Sequence, residues 1–226
     1  MVDVGLSPLA ILAILAAGLA AGMVNAIVGS GSLLTFPTLL AVGFSPIVAN
    51  VSNTVGLVAG SISAVTGQRP ELIGQRRRAA MLAIPATAGG LLGALLLLAL
   101  PQSVFHQVVV VLILLAVVLV ILQPRLSAYF SWHGANDGNS WGLRAGVFLT
   151  AIYGGYFGAA QGVLFIGLIG LFIKDEVGRI NALKNVLAVL VNGIAAIVFG
   201  LLARVALAAV ALVPFSSRAV WPAGPR

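Results

Sequence analysis

GLAAGMVNAIVGSGSLLTFPTLLAVGFSPIVANVSNTVGLVAGSISAVTG, residues Gly18 to Gly67, is apolar enough for a bilayer and is broken twice. The breaks fall at Gly29-Ser30-Gly31-Ser32 and at Gly43-Phe44-Ser45-Pro46. Between them Leu33 to Val42 supplies about half of the ~20 residues that a helix needs to cross the hydrocarbon. Small polar residues flank the breaks: Asn25, Ser30, Ser32, Thr35, Asn50, Ser52, Asn53 and Thr54. Irregular backbone at membrane depth persists only where it is buried in protein or lines a cavity, because no water is there to satisfy its N–H and C=O groups. The stretch is therefore the leading candidate for a substrate site.

The composition agrees with a membrane. The chain has 226 residues, 61% hydrophobic and 8% charged, too little polar surface to keep a soluble domain of this size dispersed. Several apolar runs approach or exceed about eighteen residues, which marks an all-α polytopic membrane protein. A membrane barrel would alternate polar and apolar residues instead. The net charge of +7 does not indicate nucleic acid, because the basic residues sit in the gaps between apolar runs, where orientation signals belong. There is no cysteine, so disulfides and thiol chemistry are excluded. The start carries Asp3 and no basic residue, so a cleaved signal peptide is not expected.

Taken in order, the apolar segments run from about Leu6 to Val28, Leu33 to Val42, Pro46 to Thr66, Ala79 to Leu100, Val104 to Leu122, Leu143 to Ala159, Val163 to Ile173 and Val177 to Leu202. A polar loop from Gln68 to Arg78 follows the third segment. A loop from Gln123 to Trp141 follows the fifth, with Trp132 and Trp141 as interfacial anchors. A last piece, Val205 to Phe215, ends in SSRAVWPAGPR. Residues 1–101 form a first repeat, 102–142 a linking helix and cytoplasmic loop, and 143–226 a second repeat that reads as truncated at its C-terminus. The basic loops carry Arg76-Arg77-Arg78, Arg125 with Arg144, and Lys174 with Arg179. With the N-terminus outside and the short segments counted as crossings, all three loops are cytoplasmic in the inner membrane. A re-entrant hairpin is the rival reading of each short segment.

The two ends of the chain echo each other. GMVNAIVGSGSLLTF (Gly22 to Phe36) lies over AIYGGYFGAAQGVLF (Ala151 to Phe165), and ANVSNTVGLVAGSISA (Ala49 to Ala64) over INALKNVLAVLVNGIA (Ile180 to Ala195). Asn50 then meets Asn181, Thr54 meets Asn185 and Ser61 meets Asn192. Five crossings, an odd number, separate the repeat starts, so the halves are inverted. Inverted repeats with interrupted helices in matching places are a secondary-transporter pattern, and the interruptions point to the site.

Lys184 is the most informative side chain. It sits well inside an apolar segment, where a lysine costs roughly 2.5–3.5 kcal/mol and normally faces a cavity or partner. Asn181, Asn185 and Asn192 share its helix face. A lysine among amide donors would attract an anion; alternatively Lys184 snorkels to the interface. The first half offers a neutral polar face of Asn50, Asn53, Thr54 and Ser61 on the third segment. Helix starts after Gly31 and Ser45-Pro46 add exposed N–H groups and positive dipole ends, which also favour anions. The plainer reading is that these residues cap helices and bond helix to helix. Gln161 either donates to a substrate oxygen or satisfies freed backbone groups. The candidate substrate-binding residues are thus Asn25, Ser30, Gly31, Ser32, Asn50, Ser52, Asn53, Thr54, Gln161, Asn181, Lys184 and Asn185. All five acids fall in predicted ends or loops, leaving no mid-membrane carboxylate for a proton relay. No metal cluster, Walker A motif or nucleophile elbow is present in the sequence, so neither an enzyme nor a cofactor is expected.

At these residues the chain resembles the TauE/SafE family of sulfite exporters. The likeness runs from roughly Leu9 to Leu202 and is carried by AGMVNAIVGSGSLLTFPTLLAVGFSPIVANVSNTVG, then by GGYFGAAQGVLFIGLIGL and INALKNVLAVLVNGIAAIVFG. The family usually has glycine at the place of Ser32 and a Thr-Ser pair near Ser52-Asn53-Thr54. The resemblance implies export of small anions such as sulfite, thiosulfate or an organosulfonate. The expected partners are that anionic substrate and the lipid bilayer, with no nucleic acid; a homo-oligomer is left open. Another small solute, or a membrane scaffold without transport, are the alternatives. Family members usually continue with a full helix beyond the eighth segment, so the short tail is expected to come from a truncated or frame-shifted coding sequence.

Overall fold

A computed structural model describes residues 7–27, 31–133 and 140–202. Within them the chain folds into eight α-helices: α1 (Pro8–Ile27), α2 (Ser32–Ala41), α3 (Pro46–Gly67), α4 (Arg76–Ala99), α5 (Gln102–His133), α6 (Trp141–Tyr156), α7 (Gln161–Phe172) and α8 (Val177–Leu202). A single 3₁₀ turn, Pro70–Leu72, joins α3 to α4. Helices α3, α4 and α8 are long and apolar enough to cross a membrane; α2 and α7 are apolar but have only 10 and 12 residues. The chain is an all-α polytopic membrane protein with short, interrupted helices.

Local chemistry sets the interruptions. At the end of α2 the Gly43 N–H bonds Leu40 O and the Phe44 N–H bonds Leu39 O. Gly43 takes φ +100°, the left-handed cap that glycine adopts without a Cβ clash. Ser45 is then extended and Pro46 opens α3, where its missing N–H costs nothing. At the end of α6 the backbone turns left-handed at Gly158 and again at Ala160. The Tyr153 hydroxyl donates to Ala159 O at 2.6 Å and ties that turn to the helix before it.

The direction of each helix follows from its contacts. Gln75, just before α4, donates to Arg179 O near the start of α8, and Gly90 farther along α4 packs on Val191 and Ile194. These two helices are parallel. Gly89 of α4 meets Phe148 and Ala151 of α6, and Gly93 meets Ile152 and Tyr156, so α4 and α6 are parallel as well. Helices α6 and α7 are antiparallel, with Gly142 on Phe172, Gly146 on Leu168 and Gly154 on Gln161. Thus α6 and α7 form one hairpin, and α7 returns the chain to the side on which α4, α6 and α8 begin. A re-entrant loop made by α7 alone would have started α8 on the other side. Helix α3 runs against α8: Gln68 after its end reaches Asn185, while Val55 and Ile62 share a groove with Ile197 and Gly193.

Two apolar clusters hold the bundle. One gathers Phe36, Phe105, Phe157 and Phe199; the other Leu82, Val147, Phe165, Leu183 and Leu187. The Phe36 and Phe157 rings meet edge to face at 5.2 Å, joining α2 to the tip of the α6–α7 hairpin. Val110, Val111, Leu114, Val118 and Ile121 leave α5 with a broad exposed apolar face.

Three boundaries differ from the sequence reading. Arg76, Arg77 and Arg78 form the first turn of α4 and not a loop. Cations there oppose the helix dipole, an effect offset by the exposure of Arg76 and Arg77 and by the pairing of Arg78 with Asp175 at 2.8 Å. Helix α5 runs on to His133, because the run of Gly and Asn that breaks helices begins only at Gly134. Helix α6 stops at Tyr156, ahead of the left-handed Gly158. Val205 to Phe215 and the final SSRAVWPAGPR, on which the expectation of truncation rests, lie outside the described residues.

Candidate functional site

The two short helices begin at one place. Ser32, first residue of α2, and Gln161, first residue of α7, both line a cavity between α3 and α8. Its space for water centres is about 20 Å³, room for a water molecule. The other walls are Leu57 and Ser61 of α3, Gly158 and Gly162 at the hairpin, and Lys184, Asn185, Ala188 and Asn192 of α8. Laid on the sequence repeat, six of the ten lining residues form equivalent pairs: Ser32 with Gln161, Leu57 with Ala188, Ser61 with Asn192. The cavity is therefore built where the two halves meet.

Lys184 is 1% exposed, and its Nζ has no hydrogen-bond partner among the described residues. Burying an ammonium costs several kcal/mol unless an anion or acceptor compensates it. The interfacial snorkel is thus not the arrangement found. The Gln161 amide Nε2 is likewise buried without a partner among the described residues. Asn185 lines the cavity while its Nδ2 donates to Gln68 Oε1 at 2.8 Å.

The remaining predicted residues of α3 are buried but do not line the cavity. Asn50 Nδ2 donates to Tyr156 O at 2.9 Å and so holds the end of α6. Asn53 accepts from the Thr35 hydroxyl and fastens α2 to α3. Ser52 is buried with no partner for its hydroxyl among the described residues. Thr54 lies near Gly158, its Oγ1 4.0 Å from where a Cβ would stand on that glycine. Gly31 is buried just before α2. Asn181 is half-buried on α8 and is not part of the cavity lining. Ser30 and the Asn25 side chain lie outside the described residues.

A family model, the sulfite exporter TauE/SafE, matches residues 14–224. The chain belongs to the TauE/SafE family. No curated protein and no solved structure gives a match. As a TauE/SafE member it is an exporter-type membrane transporter of anions, and the match runs through the tail beyond Leu202.

In this TauE/SafE protein the hairpin that carries Gln161 is braced where it leaves α7. Asp175 accepts from Arg78 of α4 and from Arg179 of α8, at 2.8 and 2.9 Å. Burial pushes the Asp175 carboxyl up. The Glu176 N–H, the Arg78 hydrogen bond and the Arg179 and Arg78 charges outweigh that and hold it below the ordinary carboxylate range. Ser61 and Asn192 were legible only as polar faces of their helices. Their shared cavity position follows from the repeat register combined with the antiparallel course of α3 and α8. Chemically, the cavity offers one ammonium, amide and hydroxyl donors, and two helix starts with outward N–H groups, a set suited to an anion.

Proposed function

We propose that this chain is a secondary transporter exporting small sulfur oxyanions, namely sulfite, thiosulfate or an organosulfonate, across the inner membrane, with its N-terminus outside. The substrate binds between the starts of α2 and α7, against Lys184, when the cavity widens beyond its room for a water molecule. The observation that carries this reading is the buried Lys184 ammonium, without a partner among the described residues, in a cavity lined by the first residues of two short helices. An oxyanion supplies the compensation that the described residues do not. Ser32, Gln161, Asn185, Ser61 and Asn192 then act as hydrogen-bond donors to its oxygens.

The test is efflux of sulfite, thiosulfate and sulfoacetate from vesicles reconstituted with the purified protein, beside Lys184→Ala. Efflux of at least one of them, and its loss in the variant, are expected. Equal efflux from the two proteins would remove Lys184 from the mechanism. No efflux of any anion would overturn the transport reading.

A further inference from the structure

Three glycines of α6 receive side chains of α7: Gly142 takes Phe172, Gly146 takes Leu168 and Gly154 takes Gln161. Phe172 and Leu168 fill their notches with apolar groups. Gln161 fills its notch with an amide: a Cβ on Gly154 would overlap Gln161 Cδ and Oε1 and lie 2.8 Å from its Nε2. Gln161 is 3% exposed, its Nε2 has no hydrogen-bond partner among the described residues, and it lines the Lys184 cavity. For packing alone a leucine would serve, without leaving a buried donor unsatisfied at a cost in free energy. The neighbouring Gly155 differs. A Cβ there would overlap Gly90 O and lie 3.0 Å from Gly90 Cα, in the backbone of α4. Gly155 therefore seats a helix, whereas Gly154 seats the end of a movable side chain. The sequence repeat pairs the same two positions: Gly154 lies over Asn25 and Gln161 over Ser32. Each half has one amide residue and one small residue there, in exchanged places.

We propose that Gly154 is a positioning residue for anion recognition: the space left by its missing side chain holds the Gln161 amide at the wall of the Lys184 cavity, where its N–H group meets a substrate oxygen. The inference rests on the transport reading above and adds a residue that does not itself line the cavity. A methyl group at position 154 displaces the amide by about 1 Å, since carbon atoms in contact stand about 3.5–4.0 Å apart. Hydrogen bonds span only about 2.7–3.2 Å, so a shift of that size breaks one.

A cycle of variants separates positioning from packing. Vesicle efflux is measured for whichever of sulfite, thiosulfate and sulfoacetate the parent protein exports fastest. KM and maximal rate are compared among the parent, Gly154→Ala, Gln161→Ala and the double variant, beside Tm in detergent. Gly154→Ala is expected to raise KM about tenfold, the scale of one hydrogen bond to a charged group. The maximal rate is expected to hold, as when uniform binding is lost, and Tm not to fall, since alanine favours a helix over glycine. In the Gln161→Ala background the same change is expected to leave KM unaltered, because no amide is left to displace. With a parent that exports, an unchanged KM in Gly154→Ala, or an equal rise in the Gln161→Ala background, would overturn this proposal alone. No efflux of any of the three anions from the parent would overturn the transport reading and this one with it. If Gly154→Ala does not fold, Gly154→Asn with Gln161→Ser decides, because it copies the first half. A KM below that of Gln161→Ser alone then supports the proposal, and an equal or higher one overturns it.

Discussion

Ser61 of α3 and Asn192 of α8 line one cavity from two antiparallel helices, and they are each other's counterparts in the sequence repeat. Residues that are both equivalent and neighbouring lie beside the axis that relates the two halves. The charge is not shared in this way. Lys184 stands on α8 at the register of Asn53 on α3, and Asn53 is occupied by Thr35. The site is symmetric in its frame and one-sided in its charge, so an anion held there has a defined orientation. Asn192→Asp places a carboxylate on the same cavity as Lys184 and is expected to lower sulfite efflux by about tenfold or more, the scale of a charge-assisted contact. Asn192→Ser, which copies the counterpart Ser61, is expected to keep most of the efflux. Vesicle efflux measured side by side checks both.

Lys184→Met separates transport from stability. Removing a buried ammonium with no protein partner among the described residues is expected to stabilise the fold by about 1–4 kcal/mol, read as a higher Tm in detergent. The same change is expected to cut anion efflux about tenfold or more. A lysine kept for structure alone would show the reverse, a lower Tm with efflux intact.

Gly93 of α4 leaves no room for a side chain: a Cβ there would overlap Ile152 O and lie 2.8 Å from the Tyr156 N of α6. Gly93→Ala is expected to push α4 off α6 and cost about 1–3 kcal/mol, as overpacking does. Gly193 of α8, by contrast, has open space where a Cβ would stand. There Gly193→Ala is expected to gain up to about 1 kcal/mol of helix propensity. Thermal unfolding of the two variants gives opposite shifts.

Asp175 sets an acid limit. Its carboxyl is held below the ordinary range, so the contribution of its ion pairs is complete above the unfolded carboxylate value of about 3.9 and is lost as pH falls through the lowered folded value. Asp175→Asn is expected to cost about 1 kcal/mol at neutral pH, a small figure because the Arg78 side chain is partly exposed. The stability curves of the two proteins are expected to converge below about pH 4. Parallel curves down to pH 2 would show that Asp175 contributes nothing through its charge.

Much of this architecture was legible from residue types. Gly43-Phe44-Ser45-Pro46 could only be a helix stop followed by a helix start, and the apolar runs located all eight helices. The placement of Lys184 well inside such a run already marked it as costly to bury. Other features depended on partners that spacing does not reveal. Asn50 and Asn53 looked like cavity donors, yet each bonds a neighbouring helix, because a buried amide takes the nearest carbonyl or hydroxyl whichever helix supplies it. The extension of α5 to His133 was hidden by the polar residues and the proline that follow Leu122 in the sequence.

Helix α4 carries one further consequence. It belongs by sequence to the first half, yet Gly89, Gly90 and Gly93 seat it on α6 and α8 of the second, and α3 packs along α8 as well. The two ends of the chain are interlocked, so rocking one as a rigid block against the other would have to break the α4–α6 and α3–α8 contacts. A transport cycle is then expected to move the helix starts at Ser32 and Gln161 against α3, α4 and α8. Restraining these starts, by a cross-link between α2 and α7, would stop the cycle while leaving α3, α4 and α8 untouched.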